Sequence, residues 1–136
     1  MLHPMQPSKQ TENKLRWEAW DPDFKLYIPK WRVPTPWPVR IVVRIDDDPR
    51  SFDSVPEPRS SESIRARDLD KPLVALLSKV QEHTQTVHFR PVGEPGTWEI
   101  GEPYVPFSFL PKPPPNQIRI EVLWDRLAGT WQEENL

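Results

Sequence analysis

The chain contains no cysteine and only four glycines. The first absence excludes disulfides, thiolate nucleophiles, and zinc or iron–sulfur sites built on cysteine. The glycines stand at 93, 96, 101 and 129. A phosphate-cradling loop, a dinucleotide fingerprint or a nucleophile elbow needs small residues in a set, close spacing, and none of these patterns is present. Histidine is scarce too. His3 lies in the polar first segment, and His83 and His88 flank a predicted helix–strand boundary. They do not share a helical face, so they read as a helix-end and a strand-surface histidine rather than as metal ligands. No run of apolar residues approaches the length of a membrane span. The opening "MLHPMQPSKQTENK" lacks the apolar stretch of a signal peptide. The expected setting is intracellular, cytoplasmic with the nucleus left open, and without a membrane partner. A net charge of −2, from 18 basic and 20 acidic side chains, supplies no global attraction for nucleic acid.

What is abundant is proline, with 19 residues, and tryptophan, with seven, in a chain of 136. That length fits one domain, and a chain of this size buries about two thirds of its unfolded surface. Many prolines imply interrupted segments and few long helices, because proline lacks an N–H and clashes inside a helix. The two elements combine in "WRVPTPWP" at 31–38, with "LPKPPP" at 110–115 as a second dense stretch. The second has the minimal spacing of a polyproline ligand, but it reads first as a rigid connector between strands.

Alternation at period two marks the strands. Leu15, Trp17 and Ala19 share one face of "KLRWEAW", and Phe24, Leu26 and Ile28 share one face of "FKLYIPKW". The "DPD" between them predicts a hairpin turn. "VRIVVRID" (39–46) puts Val39, Ile41, Val43 and Ile45 on one side, and "IRIEVLW" (118–124) does the same with Ile118, Ile120, Val122 and Trp124. Shorter strands are expected at 86–92 and 97–100. Leu73, Leu76, Leu77 and Val80 have helical spacing, and Asp70 and Pro72 suit a helix start, so 70–83 reads as the main helix. Residues 124–131 read as a short helix or an irregular cover.

The expected fold is therefore α+β: a small, mostly antiparallel sheet of about five strands with one main helix packed on one face. Residues 1–13 read as a flexible N-terminal tail and 133–136 as a C-terminal tail. Residues 14–132 form a single domain with a long loop at 47–68, of a length that is usually functional or disordered.

Function is less legible, and no stretch resembles the motif set of a known family. The acidic run Asp46, Asp47, Asp48 and the acid–x–lysine pair Asp23 and Lys25 read as solvated charge, not as a nuclease centre. No catalytic residue, metal or cofactor is expected. The preferred reading is a non-catalytic interaction or regulatory protein. It would contact another protein through Trp20, Trp31, Pro34, Trp37 and the 47–68 loop, with a homodimer as one form of that contact. The alternative is single-stranded nucleic acid held on a basic sheet face of Arg40, Arg44, His88, Arg90 and Arg119, with Tyr27, Trp31 and Trp37 stacking on bases. An enzyme of unfamiliar type is the third reading.

Overall fold

The computed structural model describes residues 2–131. Eight strands form one antiparallel sheet: β1 (Leu2–Gln10), β2 (Lys14–Ala19), β3 (Phe24–Pro29), β4 (Pro38–Asp46), β5 (Leu73–Glu82), β6 (Thr86–Pro91), β7 (Tyr104–Pro106) and β8 (Gln117–Thr130). Their order is β3-β2-β1-β4-β8-β5-β6-β7. The outer strands β3 and β7 curl toward each other, and Gly101 N–H donates to Tyr27 C=O across the seam at 2.8 Å. A Cβ on Gly101 would meet the Tyr27 Cβ at 3.3 Å, so the close approach suits glycine. The result is a nearly closed barrel. The five-strand α+β expectation is incorrect: among the described residues, helical structure is confined to α1 (Pro49–Phe52) and a few single 3-10 turns.

The strand faces follow the alternation. Ile41, Val43, Ile118, Ile120 and Val122 are buried, as are Leu15, Trp17, Phe24, Leu26 and Ile28. The expected helix is β5. Leu73 and Leu77 belong both to a helical i, i+4 stripe and to the i, i+2, i+4 set of a strand. In the barrel they point inward with Ala75 between them, while Val80 stands 44% exposed. Neighbours decide the matter, because β5 lies between β8 and β6 and its backbone groups pair on both sides. Val74 and Leu76 face outward but are covered, so apolar residues occupy both faces and period two is obscured.

The expected N-terminal tail is also corrected. Leu2–Gln10 forms β1, joined to β2 and to β4. Its alternation is masked by prolines at 4 and 7, but Met5 is fully buried and His3 is 8% exposed. The predicted cover at 124–131 instead prolongs β8. Between Asp125, opposite Arg40, and Thr130, opposite Pro38, β8 bulges outward with Gly129 at φ 110° and Leu127 fully exposed. The expected C-terminal tail lies outside the described residues.

His3 stacks on Phe109, ring centroids 3.8 Å apart. Burial holds its imidazole below the ordinary histidine range. The unfolded chain then takes up a proton that the folded chain resists. Stability is full above about pH 6.5 and falls as pH drops below it. Urea midpoints at about pH 7.5 and 5.5 should differ in the wild type, and His3→Phe should reduce the difference; an unchanged difference would assign it to other groups.

Candidate functional site

Three of the barrel's long connections carry the sequence features of interest. β3 lies three places from β4 in the sheet. The chain must cross one mouth of the barrel past β2 and β1, and the crossing segment is 30–37. Likewise, 107–116 crosses the opposite mouth from β7 to β8. Both proline-rich stretches are therefore mouth covers, where a fixed extended path and few N–H donors are structural assets. Phe107, Phe109 and Leu110 pack on the core at one mouth. At the other, Trp17 meets Trp131 edge-on at 5.4 Å and Trp124 at 6.3 Å, and Trp131 N–H donates to Trp37 C=O.

This places the predicted contact residues. Pro34 is buried, Trp31 is half-buried, and Trp37 packs against the core with Lys30 Nζ 5.3 Å from its ring centre. The residue of the run that sequence reasoning passed over is Arg32. Its side chain is fully buried, and Nε donates to Glu99 Oε1 at 2.5 Å. Its Nη1 donates to Leu69 C=O at 3.3 Å, and among the described residues its Nη2 has no partner. Arg59 Nη2 reaches the same Glu99 oxygen at 3.4 Å, and its Nη1 lies 3.8 Å from Asp68. Burial pulls the Arg32 guanidinium below the ordinary arginine range, and Glu99 opposes that pull. No spacing in the sequence signals this cluster, because its members come from 32, 59, 68 and 99. An arginine inside an apolar and proline-rich run was the available clue.

The third connection, 47–72, contains the long loop expected at 47–68 and also takes in the start of the expected helix. β4 and β5 flank β8 and run parallel to each other, so the chain must return along the outside of the barrel. It does so as a strap. α1 lies on β8, and Phe52, Val55, Pro56 and Pro58 lie over Val74 and Leu76 of β5 and Val92 beyond β6. A cavity of about 220 Å³ remains beneath, with Trp98 and Glu99 in its wall. The Arg32–Glu99–Arg59–Asp68 cluster pins the strap to the mouth cover.

The residues of the basic-face reading are spread over the outer surface, and each meets a carboxylate. Arg40 pairs with Asp125 at 3.2 Å, and Arg44 pairs with Glu121 at 2.9 Å. Arg119 lies 3.6 Å from Glu121 and is itself buried. Arg90 and His88 both face Glu102, at 2.8 and 3.3 Å, two strands away from β8. Arg90 holds the Glu102 carboxyl below its usual range. Tyr27 bonds Arg16 on β2, far from Arg40 and Arg44 in sheet order. His83 and His88 flank Tyr104, with His88 stacked on it at 4.5 Å.

Trp20 differs from the other tryptophans. It is 62% exposed at the β2–β3 turn, next to Asp21 at φ 63°, a left-handed conformation that aspartate tolerates. A groove runs beside it, walled by Pro4, Pro22 and Phe109 and edged by Glu18 and Asp21. Leu2, 55% exposed, begins the strand that forms one side.

The class so defined is a small antiparallel barrel with both mouths covered by proline-rich crossovers and one flank strapped. Among the described residues, no three His, Cys, Asp or Glu side chains converge as a metal site requires, and no helix is long and apolar enough to cross a membrane. No protein-family model matches the chain, and no curated protein matches it in sequence.

Proposed function

We propose that the chain is an intracellular, non-catalytic binding module that holds another protein, with the contact centred on Trp20 rather than on Trp31 and Trp37. The observation that carries this reading is the 62% exposure of Trp20 beside an apolar groove. An indole left in water is idle surface, whereas tryptophan is the residue most enriched where interfaces concentrate their binding energy. Glu18 is paired with Lys25 at 3.7 Å, which leaves Asp21 as the acidic edge, and that suits a partner segment that is apolar with a basic residue beside it. The paired state of Arg40, Arg44, Arg90 and Arg119 weighs against nucleic acid, because phosphate binding needs cations free to release counterions.

The test is capture from the source cell with immobilised wild type, Trp20→Ala and the double variant Trp31→Ala with Trp37→Ala. A discrete protein should be retained by the wild type at raised salt. Its affinity should fall about thirtyfold or more with Trp20→Ala. Equal retention by Trp20→Ala, or retention only of nucleic acid that salt removes, would overturn the reading.

A further inference from the structure

We propose that the cavity under the 47–72 strap is a binding site for one small, neutral, planar organic molecule: an aromatic or heteroaromatic ring that carries an N–H or O–H group. Trp20 lies at the end of the barrel and takes no part, so this site stands apart from the protein-binding surface.

Size comes first. Protein interiors pack to the density of organic crystals, and voids larger than a water molecule are few. The space of about 220 Å³ between the strap and the barrel flank is a pocket partly open to solvent rather than a closed interior void, so a ligand can enter it from outside. An apolar cavity of about 150 Å³ stays dry and accepts benzene. The larger volume here fits a fused bicycle. The walls are flat and apolar: Pro56 and Pro58 on the strap, Val74 and Leu76 on β5, and Pro91 and Trp98 opposite.

Polarity comes second. The wall has two side-chain donors, and both are already used. Thr97 Oγ1 donates to Glu94 C=O at 2.7 Å, and Trp98 Nε1 donates to Gly93 C=O at 2.9 Å. Its buried acceptor is the Glu99 carboxylate, 5% exposed. Among the described residues, Arg32 and Arg59 both bond Oε1 and no donor reaches Oε2. Oε2 is not among the buried atoms left without a partner, so it keeps contact with solvent, and a ligand N–H or O–H can take the place of water there in a charge-assisted bond.

Charge comes third. Arg32, Arg59 and Lys71 face Glu99 and Asp68, and Glu57 lines the cavity itself, so three positive charges meet three negative ones and no net charge is left to hold an ion. The ligand that fits is therefore neutral, with its donor aimed at Glu99 and its ring between the prolines and Trp98.

The test uses the full ¹⁵N-labelled chain titrated with indole and with benzothiophene, a bicycle of similar shape without the N–H. Indole should give saturable shifts confined to Val74, Leu76, Val92, Trp98 and the strap. Benzothiophene should bind about tenfold more weakly. Val55→Trp, which fills the cavity from the strap, should abolish the shifts, and Leu76→Phe should do so from the barrel side if the first variant does not fold. Shifts that do not saturate, that spread over the barrel, or that persist in the filled variant would overturn the site. Equal binding of benzothiophene would overturn the assigned ligand class.

Discussion

Glu99→Ala is expected to lower the free energy of unfolding by about 3–5 kcal/mol, as loss of one partner from a buried ion pair does. Arg32 is fully buried and Glu99 is 5% exposed. Without the carboxylate, the Arg32 guanidinium keeps one bond among the described residues, to Leu69 C=O, and Nη2 is already without a partner there. A charge left in that state costs far more than the pair contributes, because desolvation is no longer offset. Native stabilities are about 5–15 kcal/mol, so this single change should bring the chain near its unfolding threshold at 25 °C. Replacing both partners, Arg32→Met with Glu99→Leu, should recover most of the loss, since nothing charged then remains buried. Urea unfolding of the three proteins checks this. A loss for Glu99→Ala below about 1 kcal/mol would show that the cluster does not hold the strap and the mouth cover together.

Trp17→Ala is expected to cost about 3–5 kcal/mol through the cavity it leaves. Trp17 is fully buried, meets Trp124 and Trp131, and donates Nε1 to Val39 C=O at 3.1 Å. Its removal opens the mouth under 30–37 and leaves that carbonyl without its donor. Trp17→Phe should cost less, because the ring is kept and only the hydrogen bond and part of the volume are lost. Trp20→Ala should stay within about 0.5 kcal/mol of the wild type, since its side chain packs on little. Thermal unfolding with near-ultraviolet circular dichroism separates the three. A comparable loss for Trp20→Ala would mean that its indole serves folding rather than contact.

The two positions illustrate what could be read before the fold was known. Trp17 sits in the alternating run Leu15, Trp17, Ala19, and its inward side follows from strand geometry alone. The same holds for β3, β4, β6 and the first half of β8. Where proline interrupts the pattern, as in β1, or where both faces are apolar, as in β5, the local signal is ambiguous. Leu73 and Leu77 satisfy a helix and a strand equally. The exposure of Trp20 and the partial burial of Trp31 and Trp37 were not readable either. All three flank strand ends, and only the route of the next connection decides which of them is covered.

By itself the sequence determined the faces of the strongly alternating strands, the place of the long loop at 47–68, and the chemistries closed to a chain without cysteine or glycine-rich loops. These are local properties, set by side-chain alternation and residue type. The tertiary structure alone decided that the sheet closes into a barrel, that the two proline-rich stretches cover its mouths, and that Arg32, Arg59, Asp68 and Glu99 meet behind a cavity. Those outcomes depend on pairings between residues distant in the chain. The energy of such pairings comes from backbone bonding to neighbouring strands and from charges that must find partners once buried. Neither can be read from a stretch of residues until the neighbours are known.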